Sequence, residues 1–577
     1  MQTYRDSEIQ ELPLSVPYFR RKAACFLEAN GLRLESLDVY YTLQDADGNI
    51  LAGAGLQGEV IKCLAVSEEA RSQGLALPLL SQIVSSAAAR GITKLKVFTK
   101  PEHRVLFEGL GFRLLASAPQ AILLENGGGL EQYGRYLAKF RHSGRTGVVV
   151  MHANPFTLGH RYLLERAAAA VDRLIVIPVR EEHALFSYEE RKQMLLLGAP
   201  DATTVVEGSA YQISALTFPT YFLKDLSAAA ETQMRLDLDL FARHIAPALG
   251  ATVRFVGSEP RDALSARYNA LMREVLPGQG VEVVTIDRLA NAAGVVSATC
   301  VRSALSSGRF REALLRTPPC THPFLLAQQA GEALKTELNT PLKPGLVGPD
   351  GNGAHADMNY GMMLRSIDIL RPYFVRMAQT ADPEALRTLG LEAEGAMLAA
   401  SGGVNTYKGA IFALGLALSA CGARGADTEE KVMRAIREMA GKLFAGRPAV
   451  GNAPSTHGER VVAAYGVKGA REMALDGYRD LFRSWLPFYR SVKAEAYAVQ
   501  KTLLHILSGL DDTCILHRTG YGRAQTVKRE AGDLCTRFSE KALSELCADF
   551  AAGGISPGGA ADMLALTVFL DRILETT

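Results

Sequence analysis

The chain has 577 residues, 48% hydrophobic and 21% charged, with a formal net charge of +2 at pH 7. That length exceeds what one hydrophobic core holds and predicts several domains, while the composition is that of ordinary globular protein. The balanced charge excludes the electrostatic footprint expected for nucleic acid or an anionic membrane surface. Eight cysteines are scattered without a C-x-x-C pair, which argues for free thiols in a reducing cytoplasm and against a zinc site or disulfide framework. The polar start, residues 1–8, does not suit a secretory signal. The longest apolar run, 409–420, is too short to span a bilayer and reads as a buried helix of small residues.

Residues 1 to about 125 alternate strands and helices. Runs at 39–43 and 50–54 flank Asp47-Gly48, a hairpin signal, and 60–66 is a further strand. The loop R-S-Q-G-L-A at 71–76 then leads into a helix through Ala89, followed by a strand at 95–99 and a short helix ending in L-G-F-R at 110–113. A loop built like Arg71, Gly74 and Ala76 can turn backbone N–H groups onto a pyrophosphate. A domain that only positions a partner fits equally well, since no catalytic carboxylate stands out. The Gly-rich break at 126–129 and a short helix at 132–141 lead onward.

Residues 146–315 again alternate, with strands at 148–151, 174–179, 252–256 and 281–286. Strands alternating with helices predict a parallel sheet covered on both faces, whose ligands sit at the carboxyl ends of the strands. The segment N-P-F-T-L-G-H at 154–160 falls there, between the first strand and a helical pattern at 161–170. A helix N-terminus presents unpaired N–H groups and a partial positive charge, which suits phosphate. His160 lies in that first turn, within reach of a bound phosphate. His152, just before the motif, reads as structural.

T-P-P-C-T-H-P at 317–323 is a proline-rich junction, after which the β pattern disappears and 324–577 reads as an all-α domain. Three Gly-rich loops interrupt it, together with the segment 511–518, which puts a carboxylate and two basic groups close together. They carry Lys343, His355 and Asp357; Asn405 and Lys408; Asp512 and Arg518; and Asp562. One such site alone is usually a helix cap or turn, but four are more than folding requires.

These motifs resemble known families. The 71–76 loop and L-G-F-R resemble the GNAT acetyltransferases, which implies a GNAT-like α/β domain over 1–125 and a CoA-like group at Arg71, Gly74 and Ala76. T-L-G-H at 157–160 has the T/H-x-G-H spacing of the nucleotidylyltransferases. The wider set, V-V-M-H-A-N-P-F-T-L-G-H-R at 149–161, F-V-G-S-E-P at 255–260, R-Y-N-A-L-M at 267–272 and V-S-A-T-C-V-R at 296–302, resembles citrate lyase ligase over roughly 1–315. The resemblance implies a Rossmann-like α/β nucleotidylyltransferase domain over 146–315. It also implies ATP-dependent acetylation, through acetyl-AMP, of the prosthetic-group thiol on the citrate lyase acyl carrier subunit. Thr157 and His160 would then hold the ATP phosphates, Ser297 and Arg302 would clamp the β/γ-phosphates, and Asn154 would orient leaving group or substrate. The first position of the motif is Thr157 rather than His.

K-P-G-L-V, N-G-x-H-x-D, G-V-N-T-x-K-G-A and S-P-G-G-x-A-D-x-L resemble triphosphoribosyl-dephospho-CoA synthase across 324–577. This implies that ATP and dephospho-CoA give the prosthetic-group precursor with release of adenine. Lys343, Lys408 and Arg518 would meet phosphate, with His355 and Asn405 in the binding loops. Asp357, Asp512 and Asp562 would serve Mg²⁺ or act as base, with Asp357 and Asp512 the catalytic candidates and the division of roles open. Cys514 stands where that family often has Asn. The expectation is thus a bifunctional cytoplasmic enzyme using ATP, acetate, dephospho-CoA and the acyl carrier subunit, without nucleic acid or membrane. No motif for attaching the precursor to the carrier is found, which implies another chain for that step. Two rivals stand beside this: one half is a non-catalytic carrier-binding scaffold, or the N-terminal half is a cofactor adenylyltransferase.

Overall fold

The computed structural model describes residues 9–181, 184–212, 226–258, 262–291, 294–446 and 457–574. The polar start at 1–8 and Glu259 and Pro260 of the 255–260 motif lie outside the described residues. The chain divides into two compact units, the first Met1–Asn154 with Gly159–Val296, the second Pro155–Leu158 with Ser297–Thr577.

The first unit carries a seven-stranded sheet of β1 (Gln10–Glu11), β2 (Val39–Gln44), β3 (Ile50–Gln57), β4 (Val60–Val66), β5 (Leu95–Thr99), β6 (Arg113–Ser117) and β7 (Ile122–Asn126). The spatial order is β1-β2-β3-β4-β5-β7-β6. The expected hairpin joins β2 to β3: Gly48 takes φ +82°, and the Asp45 carboxylate accepts the N–H groups of Asp47 and Asn49. β4 and β5 alone are parallel, and they pair only at Val60–Lys96 and Ile61–Val97. Beyond that point Cys63 turns to φ +55° and the β3–β4 register slips, so a bulge bends β4 as it leaves β5. β6 and β7 escape the sequence reading because β7 is buried at Ile122 through Glu125 and shows no alternation.

Five further strands form a wholly parallel sheet: β8 (Thr146–Met151), β9 (Arg173–Pro178), β10 (Thr203–Val205), β11 (Ala251–Gly257) and β12 (Glu282–Ile286), in the order β10-β9-β8-β11-β12. The chain therefore winds outward from β8 in both directions, and the crevice at the carboxyl end of β8 is where a ligand belongs. Residues of β8 and β9 such as Val148 and Ile175 are fully buried, as a two-sided sheet requires. A short hairpin of β13 (Ala290–Asn291) and β14 (Gly294–Val295) follows.

The two sheets share one core, in which Tyr40 and Leu123 cluster with Val148, Ile175 and Leu271. The Gly-rich stretch after β7 is packed rather than loose. Lys96 Nζ lies 4.4 Å from the Tyr211 ring centroid, and Tyr211 donates to the buried Glu125, whose other oxygen accepts Leu130 N. A Cβ on Gly129 would stand 2.2 Å from the Tyr211 hydroxyl, so glycine is required there.

Among its described residues the second unit is helical apart from the Gly348–Gly351 bridge. At its centre the helix Lys408–Cys421 buries Ala410, Ile411 and every residue from Ala413 to Ala420. A helix apolar all round belongs in a core, and this one packs against Tyr360–Ala378 and Gly558–Ile573. The proline-rich junction at 317–323 is packed. Thr317 and Thr321 are buried, and Thr321 Oγ1 donates to Phe156 O. No helix among the described residues is long and apolar enough to cross a membrane.

Candidate functional sites

The segment 154–160 leaves β8 through Ala153, a non-glycine residue at φ +47°. Such a conformation costs on the order of 1 kcal/mol and persists only where the surroundings impose it. Here they do: Asn154 Oδ1 accepts Phe186 N, Leu158 N donates to Arg316 O, and the helix Leu158–Ala168 begins at once. His160 is half-buried in its first turn, as expected. Thr157, at the start of the same turn, is buried, 1% exposed. The compact units divide the expected set, with Asn154 and His160 in the first and Thr157, Ser297 and Arg302 in the second. Ser297 is the N-cap of the helix Ala298–Ser306 and accepts Cys300 N, while Arg302 donates to Thr299 Oγ1 one turn on.

Arg191 is a functional candidate that the sequence reading missed. Its side chain is fully buried, and its guanidinium donates to the carbonyls of Phe186, His152, Val179 and Glu181 at 2.8–3.1 Å. One planar fork thereby ties the segment after β8 to the segment after β9 and to the turn before the helix Tyr188–Gly198. Burial pulls its pKa down from the usual arginine value. An E-R pair on a helix gives no sequence signal for this role. His152, expected to be structural, is half exposed and pairs with Glu181 at 2.9 Å across the same strand ends. Arg191→Met strands four carbonyls in the interior, so it should cost roughly 3 kcal/mol or more of stability. A lowered urea midpoint checks this; an unchanged one would mean that water replaces the guanidinium.

In the second unit the 343–357 loop, the 402–409 loop and the segment at Asp512 converge on the Gly-rich segment 555–562. A Cβ on Gly345 (φ +69°) would meet Ile555 O at 1.9 Å, so the 343–357 loop lies directly on it. His355 Nε2 is 2.7 Å from Ser556 Oγ. Asp512 Oδ1 accepts Cys514 N and Ile515 N, and its Oδ2 accepts Ala560 N, so one buried carboxylate caps two helices. Asp562 lies against Gly409, where a Cβ would stand 1.9 Å from its Oδ2.

Within this cluster the expected residues fall into different groups. Lys343, expected at phosphate, is buried and paired with the buried Glu337; an ammonium removed from water requires such a partner. Lys408 is open: its side chain is 49% exposed and pairs with Glu394. Asn405 Oδ1 accepts Lys408 N and so starts the Lys408–Cys421 helix. Arg518 is exposed beside Gly554. Burial, with the Arg518 charge nearby, holds the His355 imidazole below its ordinary pKa; its Nδ1 is 3.6 Å from the exposed Asp357 carboxylate. Burial and then Asp512 and Glu337 push the Asp562 carboxyl well above the usual carboxylate range. Among the described residues no three His, Cys, Asp or Glu side chains group to hold a metal ion. Of the three aspartates, Asp512 gives its oxygens to backbone N–H groups and Asp357 has an exposed carboxylate.

The 71–76 loop follows β4. Gly74 takes φ +70° and ends a short 3₁₀ turn, Arg71 is exposed, and Ala76 opens the helix Ala76–Ala89.

Known families match the two halves of the chain. The model of the citrate lyase ligase C-terminal domain matches residues 146–325, and that of ATP:dephospho-CoA triphosphoribosyl transferase matches 323–577. The chain is 38% identical over 312 residues to the citrate (pro-3S)-lyase ligase of Escherichia coli K12, covering 52% of this chain and 89% of that protein. It is 38% identical over 268 residues to the 2-(5''-triphosphoribosyl)-3'-dephosphocoenzyme-A synthase of Klebsiella pneumoniae, covering 43% of this chain and 94% of that protein. The chain belongs to both families. The ligase-family half carries both sheets and the 154–160 loop, and the synthase-family half carries the cluster around 555–562. The last part of the ligase match, from Ser297, falls within the second compact unit, where the helix Phe310–Leu314 packs on Gly558–Ile573.

Proposed function

We propose that the chain serves citrate lyase activation with two separate active sites. The synthase-family half joins dephospho-CoA to the ribose C1′ of ATP and releases adenine. The ligase-family half activates acetate as acetyl-AMP, with release of pyrophosphate, and passes the acetyl group to the prosthetic-group thiol of the citrate lyase acyl carrier subunit. The observations that support this reading are a braced strand–loop–helix at the switch point of a parallel sheet, and three segments stitched to a fourth at 555–562.

In the ligase half, attack of the acetate carboxylate on the α-phosphate requires placement and charge neutralisation more than covalent help. The start of the helix Leu158–Ala168 supplies N–H groups, His160 adds a donor, and Asn154 and Arg191 hold the loop in shape. The family motif assigns Arg302, on the helix that Ser297 caps, to the β/γ-phosphates. In the synthase half the C1′ carbon gains positive charge as adenine departs, and a ribose hydroxyl of dephospho-CoA attacks it. Asp562 takes the hydroxyl proton, Asp512 positions the loops, and Lys408 and Arg518 face the triphosphate. Mg²⁺ suits this arrangement when held by one or two carboxylates together with phosphate oxygens, and Asp357 has the exposed carboxylate for it. When bound, it would neutralise the triphosphate.

The bulge that leads β4 away from β5, followed by the 71–76 loop, makes the GNAT-like part of the ligase half a seat for the carrier's CoA-like arm. Gly74→Glu tests it. No atom lies within 4 Å of the added Cβ, so the cost is the positive φ, about 1 kcal/mol, plus a charge placed against pyrophosphate. Carrier acetylation should weaken while acetyl-AMP formation persists; unchanged acetylation would make this domain a scaffold.

The reading as a whole is tested with the purified full chain. ATP with dephospho-CoA should yield adenine, and ATP with acetate and holo-carrier should yield AMP and pyrophosphate. ADP or AMP in place of adenine would refute the synthase assignment. A nucleotide added to phosphopantetheine would replace the ligase assignment with a cofactor adenylyltransferase.

A further inference from the structure

Beside the synthase cluster the second unit holds a cleft of about 480 Å³. Its walls include Leu386, Leu391, Phe412, Leu416, Leu443 and Val462. Leu391 is 56% exposed, an apolar side chain left open to the cleft. Lys408, Gly409 and Thr513 also line it. Gly409 is the residue against which the Asp562 carboxylate lies, and Thr513 follows Asp512, so the cleft adjoins the groups assigned to the reaction. Its volume falls in the ~300–1,000 Å³ range of small-molecule sites.

We propose that this cleft holds the pantetheine arm of dephospho-CoA; the inference rests on the synthase reading. The two substrates share adenine, ribose and phosphates, groups that are flat and polar or charged. Only the arm offers methylenes and a gem-dimethyl group in extended form, and only it gains from walls of leucine, valine and phenylalanine. A flat base would call for parallel aromatic faces. Phe412 and Phe444 instead lie 57° apart in plane, with centroids 6.2 Å apart, and pack on each other. The cleft also has a polar edge, where Lys408 pairs with Glu394. Threading the arm through the cleft fixes the adenosine end of dephospho-CoA next to Asp562.

Gly390 supplies the test. It lines the cleft in the helix Pro383–Ala400, and a Cβ there meets no atom within 4 Å. Gly390→Phe therefore directs a ring into the cleft from a position where the Cβ itself meets no atom, and it replaces a poor helix former. In the full chain it should raise the KM for dephospho-CoA by roughly tenfold or more, the effect of losing part of one buried arm. The KM for ATP should not change, nor should the inhibition constant of ADP, which is dephospho-CoA without the arm. Leu391→Glu, at an exposed position, should act in the same direction if the first variant folds poorly. An unchanged KM for dephospho-CoA, or an equal rise for ATP, would overturn the proposal. Calorimetric titration of the full chain separates this from the synthase reading. Parent protein should bind dephospho-CoA more tightly than ADP, and the Gly390→Phe variant should lose that difference. If the parent releases no adenine yet shows this binding difference, the synthase reading fails and the cleft assignment stands. If the parent binds both ligands equally, the cleft assignment fails.

Discussion

Asp562→Asn should lower adenine release by about two to four orders of magnitude, the range for loss of a general base, while acetate-dependent AMP formation is untouched. The carboxylate sits at the N-terminus of the helix Lys408–Cys421, close enough that only glycine fits at 409, and it accepts the N–H of Ala410. Asp512 is a poorer candidate for base because three backbone N–H groups already occupy its oxygens. Burial first, then Asp512 and Glu337, raises the pKa of Asp562. A base must be ionised to accept a proton. Adenine release should therefore fall as the pH drops through a range well above that of ordinary carboxylates, and the Asn variant should lack that limb. Asp512→Asn should instead lower the melting temperature, since it weakens the start of two helices. An Asp562→Asn enzyme as active as the parent would move the base elsewhere, with the exposed Asp357 carboxylate as the next candidate.

His160→Ala should lower acetate-dependent AMP formation by about two orders of magnitude or more, by analogy with removal of one donor from a charge-stabilising site. Its adenine release should equal the parent's. The residue lies in the first turn of a helix whose entry is held by Asn154 and by the Leu158–Arg316 hydrogen bond, so the deletion removes a donor without freeing the loop. The imidazole matters most where charge builds on the departing pyrophosphate, so kcat should fall more than KM rises. Near-normal AMP formation would refute the assignment of this loop. Far-UV circular dichroism should be unchanged in both variants.

Much of the candidate chemistry was legible in one dimension because it is local. N-P-F-T-L-G-H between an apolar run and a helical pattern specifies a strand, a turn and a helix start within about a dozen residues, and the structure places them so. D-G at 47–48 specifies its hairpin for the same reason, as does the uniformly apolar run at 409–420 its buried helix. The four candidate segments of the synthase-family half could be counted, but not assembled. Their meeting depends on pairs such as Gly345 with Ile555, His355 with Ser556 and Asp512 with Ala560, between segments far apart in the chain.

What tertiary structure decided was how each polar group is used. Lys343 and Lys408 look alike as loop lysines, yet packing buries one on Glu337 and leaves the other open. Asp512 and Asp562 look alike as loop acids, yet Cys514, Ile515 and Ala560 N–H groups occupy the oxygens of one, while the other accepts the N–H of Ala410 and lies against Gly409. Thr157 reads as a phosphate contact and is buried, whereas Arg191, with no motif around it, holds the carboxyl ends of β8 and β9 together. The physical reason is common to all four cases. A residue's type sets which bonds it can make, and that is written in the sequence. Which of those bonds it makes depends on the backbone groups and charges that folding brings beside it, and burial raises the cost of leaving any of them unmade.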